Sequence, residues 1–519
     1  MTKWGLIIVI LALPTFLLML RHGVYTMHDF HFFRQFEFDK CLQQYVFPCR
    51  WAPDASLGYG QPLFNFYGQF TYWLGSVWQI IGFSVINSVK GVFILSLVGS
   101  GLAMFALARN YWGDRGGVVS AVLYMYAPYR AVDVWVRGAL PEALGFVFFP
   151  LIWLCLDRFI STRRYSYLFW LILLSAGLLI THNLSFLMFL PFAGVWAVYC
   201  LWRHFSRTRV EDLVSAGLVV ALLAAFYLLP VVFESRFVTL GSVVRGYYDY
   251  RSHFVSLRQL FWSNFWGYGG SVWGTGDGMS FAVGYLQWGL ALVVGIGLIV
   301  TKKIDRYWGW MIITGLAIVA LFLTHGKSEI VWRIIPAMAY LQFPWRFLSV
   351  AVFLLALAAG LLVQLTTRWV AVTVVLLAIL VNHGFFRPDI WLPLSDHQYF
   401  SGKLWDEQRS SAKSDFWPNT APKLPTEFAF SGPRVILSTQ KYQKIQYPIV
   451  YFPGWKAWSN NQPLDIFPSG NLGLITVRVP AGQTAVLRFT NTLVRSIGNW
   501  VSLLALVGLV VWRIKYVKD

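Results

Sequence analysis

Long uninterrupted apolar runs constrain this chain more than any other feature of its sequence. Each run approaches or reaches the length of about 17–25 residues that crosses a bilayer as an α-helix. Because such runs recur from residue 4 to residue 512, we predict a polytopic membrane protein. The runs are 4–20, 66–86, 90–108, 117–128, 143–160, 166–181, 184–202, 213–232, 281–301, 307–324, 346–366, 369–386 and 496–512.

The composition agrees with burial in lipid. Hydrophobic residues make up 57% of the 519 positions and charged residues 13%, with a mean hydropathy of +0.56, whereas soluble domains carry roughly 25% charged residues. The net charge of +19 does not indicate a nucleic-acid partner, because the basic residues form short clusters between apolar runs. The predicted partner of most of the surface is therefore the lipid bilayer.

The run at 66–86 decides the predicted topology. It is rich in aromatic residues and contains Gln69, Thr71 and Gln79, so it either spans or lies along the interface. If it does not span, Lys3 and all the short basic loops fall on one side, as the positive-inside rule favours. We therefore predict about twelve spans, both termini cytoplasmic, and a membrane-lying or re-entrant helix at 66–86. The basic loops are Arg109–Arg115, Arg158–Arg164, Arg203–Arg209, Lys302–Arg306, Arg368 and Arg513–Lys518.

One polar segment near the C-terminus departs from the long apolar pattern of the rest of the chain. Short β-type runs there alternate with Pro and Gly turns, and Ile475, Val477 and Val479 alternate with polar residues, as in a half-buried strand. The predicted fold class is thus an all-α polytopic membrane protein with a small extracytoplasmic β-sandwich before its last helix. The predicted domains are 1–386 (transmembrane, with a large first external loop at 21–89), 387–495 (β-rich) and 496–519 (final helix and cytoplasmic tail).

The four cysteines do not form a disulfide framework. Cys41 and Cys49 share one polar loop, and a bond between them requires that this loop be exported. Their spacing alone leaves the question open. Cys155 and Cys200 lie in or beside apolar runs, where we expect them to face the core or lipid.

Ionisable residues stand at the ends of the apolar runs, where charge is costly unless it is paired or functional. Asp29 directly follows the first run and is flanked by aromatic residues, so we predict a functional role for it. Glu37 and Asp39, which follow, are interpreted as an ordinary solvated helix face. The other candidates on the predicted outer face are His28, Arg137, Glu142, His182, His253, Asp277 and Arg346.

Several of these candidates also have a structural interpretation. The position of His182 is equally typical of a structural histidine whose ring nitrogens form hydrogen bonds at the membrane interface. The position of Arg346 is also typical of an arginine whose side chain extends toward lipid head groups. His28 and His31 have a spacing that can share a helix face, but no third ligand follows at a familiar distance. Whether the protein binds a divalent metal therefore stays open, and nothing in the sequence requires a cofactor.

Several stretches of the chain resemble a known family. They are His28-Asp29, Leu57 to Tyr67, Ala127 to Arg130, Arg137 to Glu142, His253-Phe254, Gln259 to Ser263, Trp266 to Gly270, Gly276 to Ser280 and Phe452 to Trp455. These stretches resemble bacterial and archaeal membrane proteins labelled "6-pyruvoyl-tetrahydropterin synthase-related", akin to YfhO-type proteins. More broadly, an Asp in the first external loop after helix one, a following membrane-lying helix and ten or more spans resemble the GT-C superfamily of membrane glycosyltransferases. The pterin label implies no pterin chemistry.

This resemblance implies transfer of a sugar from a polyprenyl-phosphate donor to a glycan, lipid or protein acceptor, by one inverting displacement. Asp29 is then the general base, while the second acid stays open between Glu142 and Asp133. Arg137 and Arg346 are the implied ligands of the donor phosphate. The implied substrate-binding residues are His28, His182, His253 and Asp277.

Two rival functions remain at this point. A transporter or flippase of lipid-linked glycans would carry polar or broken helices near the midplane, whereas the charge in these spans concentrates at one face. A non-catalytic membrane scaffold would not need Asp29, Arg137 and Arg346 to converge. We predict a multi-pass protein of the cell membrane, with the active site and the β-domain outside the cytoplasm.

Overall fold

A computed structural model describes residues 3–44, 46–241, 244–272, 276–411 and 415–516. The end of the predicted basic tail, 517–519, lies outside these residues. Helices of ten or more residues dominate the described chain. They are α1 (Lys3–Phe16), α2 (His31–Gln43), α3 (Phe70–Ile80), α4 (Val85–Met125), α5 (Leu140–Thr162), α6 (Tyr165–Thr181), α7 (Asn183–Arg203), α8 (Arg207–Leu223), α9 (Ala225–Glu234), α10 (Tyr285–Val300), α11 (Trp308–Thr324), α12 (Leu348–Ala359), α13 (Arg368–Asn382), α14 (Gly402–Ser411) and α15 (Leu493–Tyr516).

Shorter elements connect these helices. The strands are β1 (Val24–Tyr25), β2 (Trp391–Leu392), β3 (Arg434–Ser438), β4 (Tyr442–Val450), β5 (Trp455–Ser459), β6 (Gln462–Leu464), β7 (Ile466–Ser469), β8 (Leu474–Pro480) and β9 (Val486–Phe489). The short helical segments are Leu17–Leu20, Ala55–Gly58, Leu63–Phe66, Pro128–Ala131, Val132–Val136, Ser235–Phe237, Gly246–Tyr248, Tyr250–His253, Leu257–Phe261, Ile304–Tyr307, Gly326–Ser328, Glu329–Ile334, Pro336–Leu341, Pro344–Phe347, Leu362–Leu365, His383–Phe385 and Asp396–Tyr399.

Eight helical segments of the described chain are long and apolar enough to cross a membrane, or nine if α8 and α9, bent by 71° at their junction, form one broken span. Two shorter apolar helices, α6 and α10, accompany them. The segments are Lys3–Leu20, Val85–Met125, Leu140–Thr162, Asn183–Arg203, Ile304–Thr324, Pro344–Leu365, Arg368–Phe385 and Leu493–Tyr516. The chain is therefore an integral membrane protein, and the count of about twelve stays a prediction.

The 41-residue element α4 is a helical hairpin. At Gly113 the backbone has φ +73°, a left-handed value that glycine adopts without strain. Beyond this break the chain returns on itself, because Gly117 packs against Phe105 and Gly101 against Met125. Two antiparallel arms thus stand where the sequence predicts separate runs at 90–108 and 117–128.

The segment at 66–86 contains only the 11-residue helix α3. At 1.5 Å per residue it is about 16 Å long, too short for a hydrocarbon core of about 30 Å. Gly68, at its entrance, packs against the carbonyl groups of Ile180 and Thr181 at the end of α6. The helix is thus too short to cross a bilayer by itself, and a membrane-lying or re-entrant position for this segment stays a prediction.

The buried centre of the helical domain is the segment Pro344–Leu365, 83% of whose most apolar window is buried by the rest of the protein. The arms of α4 and the helix α5 pack around it, and the rings of Phe149 and Trp153 each contact the ring of Phe353. The last helix, α15, is peripheral, because only 11% of its window is buried.

The β-rich region consists of two antiparallel sheets, with strand orders β3-β4-β8-β7 and β6-β5-β9. Their facing sides enclose Ile445, Ala457, Ile475, Val477 and Val479, and this shared core is what the predicted sandwich requires. The strands extend only from residue 434 to residue 489, so they occupy the second half of the predicted segment 387–495.

A disulfide within the first external loop and a strand pairing with a distant segment hold this loop in place. Cys41 and Cys49 form a disulfide, which answers the question that their spacing left open. Strand β1, directly after the first span, pairs with β2 after α13, with Val24 opposite Leu392 and Tyr25 opposite Trp391. This pairing fixes the chain four residues before Asp29.

Candidate functional site

The backbone of Asp29 is held from both sides. The amide of Thr26 donates to Ile390 O (3.1 Å), that of His28 to Val136 O (3.2 Å), and that of Asp29 to Arg137 O (2.9 Å). Gly138 makes this approach possible, because a Cβ at that residue would collide with the side chain of Met27. Asp29 and Arg137, 108 positions apart in sequence, are therefore neighbours.

The carboxylate of Asp29 meets two side chains from the first turn of α2. Its Oδ1 accepts a hydrogen bond from Nη1 of Arg34 (3.2 Å), and its Oδ2 lies 3.4 Å from Nε2 of His31. His31 is fully buried and its Nδ1 is 2.9 Å from the hydroxyl of Tyr72, whereas 35% of the Asp29 side chain is exposed. Asp29 is thus a fixed carboxylate that still faces open space.

Opposing effects act on the ionisation of this carboxylate. Burial would raise the pKa of Asp29, but the hydrogen bond with His31 and the charges of Arg34 and Arg137 outweigh it and hold the pKa well below its usual range. Burial lowers the pKa of His31, so this imidazole is neutral at pH 7. Asp29 is therefore ionised at neutral pH.

A second cluster lies directly behind Asp29. Nη1 of Arg137 donates to Oδ1 of Asp133 (2.7 Å) and to Oε2 of Glu142 (2.9 Å), and the hydroxyl of Tyr129 donates to Oε1 of Glu142 (2.6 Å). Glu142 is only 1% exposed. Both of its oxygens are engaged, so in this arrangement Glu142 positions Arg137.

Arg346 approaches the same glutamate from the opposite side. Its Nε lies 3.7 Å from Oε2 of Glu142, and its Nη1 donates to Leu341 O (2.8 Å). Within the described chain, Nε of Arg346 has no hydrogen-bond partner. The ring of Trp345 lies 4.7 Å from the guanidinium carbon of Arg137. One glutamate is therefore shared by two guanidinium groups, and Asp133 and Glu142 together face Arg137 and Arg346 next to Asp29.

The four predicted substrate-binding residues fall at different depths. His28 is exposed, and its Nε2 lies 2.7 Å from Tyr268 O in the 233–280 loop. His182 lies between α6 and α7, with Nδ1 2.6 Å from Oγ of Ser185, close enough to Glu142 and Arg346 to be affected by their charges. Both therefore lie near the carboxylate and the arginines.

His253 and Asp277 lie one layer further out. Nδ1 of His253 is 2.9 Å from Oγ of Ser271, and the same hydroxyl contacts Asp277 (3.3 Å) and accepts from Nε1 of Trp345 (3.2 Å). Both residues are largely buried. They hold the 233–280 loop against Trp345, and through that ring they support Arg137.

The interpretation of Glu37 and Asp39 as a solvated face is wrong. Glu37 is fully buried and accepts a hydrogen bond from the amide of Asp54 (2.8 Å), while Asp39 accepts from Gln35 (2.9 Å). The remainder of the first external loop covers α2, so this helix has almost no wetted side. Burial raises the pKa of Glu37 to about 7, despite the charge of Lys40.

Two residues that line the Asp29 carboxylate did not stand out in the sequence. Tyr67 accepts a hydrogen bond from Nη1 of Arg34 (3.2 Å), and Asp415 lies 3.8 Å from Nη2 of the same arginine. Phenylalanines on every side of α2 were the signal that this helix is buried, which makes a charged Arg34 within it a candidate for function.

The paired histidines do not converge on a metal position. His28 contacts the backbone of Tyr268, whereas His31 contacts Tyr72 and Asp29. Among the residues that the structure describes, no group of three or more His, Cys, Asp or Glu side chains could hold a metal ion. The geometry of these two histidines therefore does not support a metal site.

Comparison with known proteins gives one match over most of the chain. The family model described as "6-pyruvoyl-tetrahydropterin synthase related domain; membrane protein" matches residues 64–387, more than half of the sequence. No curated protein matches.

Solved structures give weaker matches. The mycobacterial arabinofuranosyltransferase AftD has a TM-score of 0.45 and 12% identity, and the alignment covers 81% of this chain and 28% of AftD. The oligosaccharyltransferase of Archaeoglobus fulgidus, solved with a tethered acceptor peptide, has a TM-score of 0.45 and 12% identity, with 83% of this chain and 61% of that protein covered. This chain thus spans less than two thirds of either protein.

Proposed function

We propose that this chain, which belongs to the 6-pyruvoyl-tetrahydropterin synthase related family of membrane proteins, is a GT-C type membrane glycosyltransferase. It transfers a sugar from a polyprenyl-phosphate donor to a glycan, lipid or protein acceptor on the extracytoplasmic side. The reaction inverts the anomeric centre, because one displacement replaces the phosphate with the acceptor oxygen.

The carboxylate of Asp29 is the observation that carries this proposal. It is ionised, held by Arg34 at 3.2 Å, and 35% exposed. Most charged side chains beside it are buried and engaged with one another. A general base needs these properties together, because it must be charged, must be fixed in position and must reach the proton that it accepts.

In the proposed step, Asp29 accepts the proton of the acceptor hydroxyl as that oxygen attacks the anomeric carbon. The bond between this carbon and the phosphate oxygen breaks, and its electron pair leaves with the polyprenyl phosphate. Arg346 and Arg137 stabilise the charge that develops on the phosphate, since guanidinium groups bind phosphate oxygens strongly. Arg346 is better suited to direct contact because its Nε has no hydrogen-bond partner among the described residues and lies 3.7 Å from Oε2 of Glu142.

The four remaining predicted residues have supporting roles in this proposal. His28 and His182 lie close enough to line the substrate path. His253 and Asp277 order the 233–280 loop and thereby the wall that Trp345 forms. None of these steps requires a metal, and the chemistry needs only a base, a leaving phosphate and fixed cations.

The proposed location is the cell membrane, with the Asp29 site and the β-rich region outside the cytoplasm and both termini inside. The disulfide between Cys41 and Cys49 supports this sidedness, because disulfides persist in oxidising compartments. The short basic loops support it as well.

Lipid extracts from cells with and without the gene test the proposed function. We expect deletion to raise one polyprenyl-phosphate sugar and to remove one glycan modification, both measured by mass spectrometry. Complementation with the parent chain should restore both. A flippase would give a different result, because its loss would leave an unmodified lipid-linked glycan trapped on the cytoplasmic leaflet. Unchanged lipid-linked sugars and surface glycans after deletion would contradict the proposal.

A further inference from the structure

A second cavity lies at the ends of α5 and α7 that are remote from Asp29. Glu142 and His182 stand at the first ends of these helices, whereas the cavity is lined by Asp157 and Cys200 near their last turns. Fifteen residues of helix separate Glu142 from Asp157, about 22 Å at 1.5 Å per residue. This cavity is therefore independent of the candidate active site.

The cavity has a volume of 390 Å³, within the range of small-ligand sites of about 300–1,000 Å³. Its walls are mainly aromatic, formed by Tyr111, Trp112, Trp196, Tyr199, Trp202, Tyr307, Trp308 and Trp310. Trp196 contacts Trp153 behind it (ring centroids 4.9 Å apart) and Tyr199 beside it (5.1 Å). Aromatic faces around a space of this size attract cations, particularly quaternary or primary ammonium groups.

A carboxylate without an ion-pair partner belongs to this aromatic wall. Asp157 accepts from Sγ of Cys200 (3.5 Å), and within the described chain it makes no salt bridge. The side chains of Tyr111 and Trp196 also face it. An unpaired acid near the membrane is costly, so a cation in the cavity would offset a charge that the protein itself leaves uncompensated.

Buried donor groups surround this carboxylate. The hydroxyl of Tyr111, Sγ of Cys200 and Nε1 of Trp196 are its hydrogen-bonding neighbours, and the side chain of Trp196 is only 3% exposed. These neutral donors orient the carboxylate but supply no positive charge. A polar lining around an acid without a cationic partner favours an occupant with a cationic group over an apolar lipid tail.

The rim of the cavity carries two arginines together with the exposed Asp305. Arg203 and Arg306 line it and are exposed, and neither forms an ion pair with a carboxylate in the described chain. Nη1 of Arg203 donates to the hydroxyl of Tyr199 (3.2 Å), which holds the guanidinium group above the aromatic wall. An inner acid and two outer arginines match a ligand whose ammonium group enters first and whose phosphate stays at the membrane surface.

We propose that this cavity binds the head group of a zwitterionic phospholipid with a primary amine, the phosphoethanolamine group, with the ammonium at Asp157 and the phosphate at Arg203 and Arg306. A primary ammonium group donates hydrogen bonds to the carboxylate, whereas the trimethylammonium group of a choline lipid has no N–H to donate. An anionic glycerol head group would place no positive charge at Asp157.

Lipid retention by the full-length purified protein tests the proposal. The protein is incubated with equal amounts of phosphatidylethanolamine, phosphatidylcholine and phosphatidylglycerol in detergent, and the retained lipids are identified by native mass spectrometry. We expect at least about tenfold enrichment of phosphatidylethanolamine in the parent protein, and loss of this preference in Asp157→Asn. Arg203→Gln and Arg306→Gln should each lower retention of the same lipid without creating a preference for another.

Asp212→Asn is the matched control, because Asp212 lies at the same end of the helical domain, is bonded to Tyr165 and does not line the cavity. It should keep the enrichment. Equal retention of the three lipids by the parent, or undiminished enrichment in Asp157→Asn, would overturn the proposal. Displacement of the lipid by an equal concentration of glycerophosphoethanolamine would overturn a membrane lipid as the occupant. If Asp157→Asn does not fold, the two arginine variants test the proposal instead, and undiminished retention of phosphatidylethanolamine in both would overturn it.

Discussion

Two buried arginine–carboxylate clusters on the same side of this protein differ in how completely their carboxylates are bonded. Glu234, 2% exposed, accepts from Arg495 through Nε (2.9 Å) and Nη2 (2.8 Å), from Asn65 (2.7 Å) and from Thr492 (2.5 Å). Asp29 has one near neighbour on each oxygen and is 35% exposed. The first carboxylate joins α9, the first external loop and α15, whereas the second is left with capacity to bind.

In our proposal, the number of lone pairs left free distinguishes the structural carboxylate of Glu234 from the catalytic carboxylate of Asp29. A carboxylate offers about four acceptor positions. Glu234 receives four contacts from donors within the protein, three on Oε2 and one on Oε1, so removing it alone should destabilise the fold by leaving Arg495 buried without its partner. Asp29 leaves positions open, so removing it should change chemistry more than stability.

The largest expected effect is in cysteine labelling, which tests our proposal that both clusters lie outside the cytoplasm. A cysteine introduced at the exposed Ser438 should react fully with a membrane-impermeant maleimide in intact cells, while one at the exposed Ser161 should not react. The native cysteines give little background, because two are bonded and Cys155 and Cys200 are buried. Labelling at Ser161 from outside would reverse the proposed sidedness of the site.

The variant Asp29→Asn tests whether the open carboxylate of Asp29 is the general base. The amide keeps the shape and most hydrogen bonding but accepts no proton, so transfer measured as consumption of polyprenyl-phosphate sugar in membranes should fall by about 10²–10⁴-fold. Its melting temperature in detergent should stay near that of the parent. The matched control is Asp465→Asn, on the exposed surface of the β-rich region. Transfer at the parent rate in Asp29→Asn would assign the base elsewhere.

The variant Arg495→Met tests whether the pair of Glu234 and Arg495 stabilises the fold. It leaves Glu234 buried without its main partner, which typically costs about 3–5 kcal/mol of stability. The yield and the thermal stability of the purified protein should fall, while the transfer rate per folded molecule should hold. The double variant Glu234→Leu with Arg495→Met should recover much of the loss, since it removes the uncompensated charge. Equal stability of Arg495→Met and the parent would refute the structural assignment.

Arg346→Lys sharpens the role of the shared arginines. Lysine keeps the charge but loses the planar fork that binds two phosphate oxygens, and we expect about a tenfold lower transfer rate at unchanged protein levels. Arg21→Lys, at an exposed arginine after the first span, is the control and should transfer normally. Parent rates in both variants would restrict Arg346 to anchoring the protein at lipid head groups.

The smallest effect is a shift of the pH profile. Because the pKa of Asp29 lies below its usual range, this base stays ionised as the pH falls from 8 to 5, and the transfer rate should not lose its base over that interval. Arg34→Gln removes a cation that lowers this pKa, so the acid limb should move upward by about 1–3 units. Arg251→Gln alters an exposed pair with Asp249 and should leave the profile in place. An unmoved acid limb in Arg34→Gln would exclude Asp29 as the titrating base.

Much of the architecture could be predicted from local sequence. The predicted β-type runs at 435–437, 447–452, 474–479 and 485–489 overlap β3, β4, β8 and β9, because alternating apolar residues indicate which face of a strand is buried. The strands β5, β6 and β7 were missed, since they are short and carry polar residues that pair across the sheet. The hairpin at Gly113 was anticipated as two runs separated by a basic loop.

The candidate residues were found by their positions at the ends of apolar runs, but their roles were not. Periodicity could not reveal that Glu142 is enclosed by Arg137, Tyr129 and Arg346, or that His253 and Asp277 support Trp345. Glu37 was misread because a charged residue in a short helix is usually wetted. Burial there is created by loop residues that follow it in the chain.

The sequence by itself determined that this protein lives in a membrane, because the cost of exposing apolar runs to water depends on composition and length alone. It also showed which ionisable residues stand near the ends of the apolar runs. Tertiary structure decided which of them meet, since Asp29 reaches Arg137 only through the pairing of β1 with β2 and the backbone contacts at 136–137. Whether a carboxylate is saturated or open is a property of contacts between distant segments, and such contacts leave no local pattern in a single sequence.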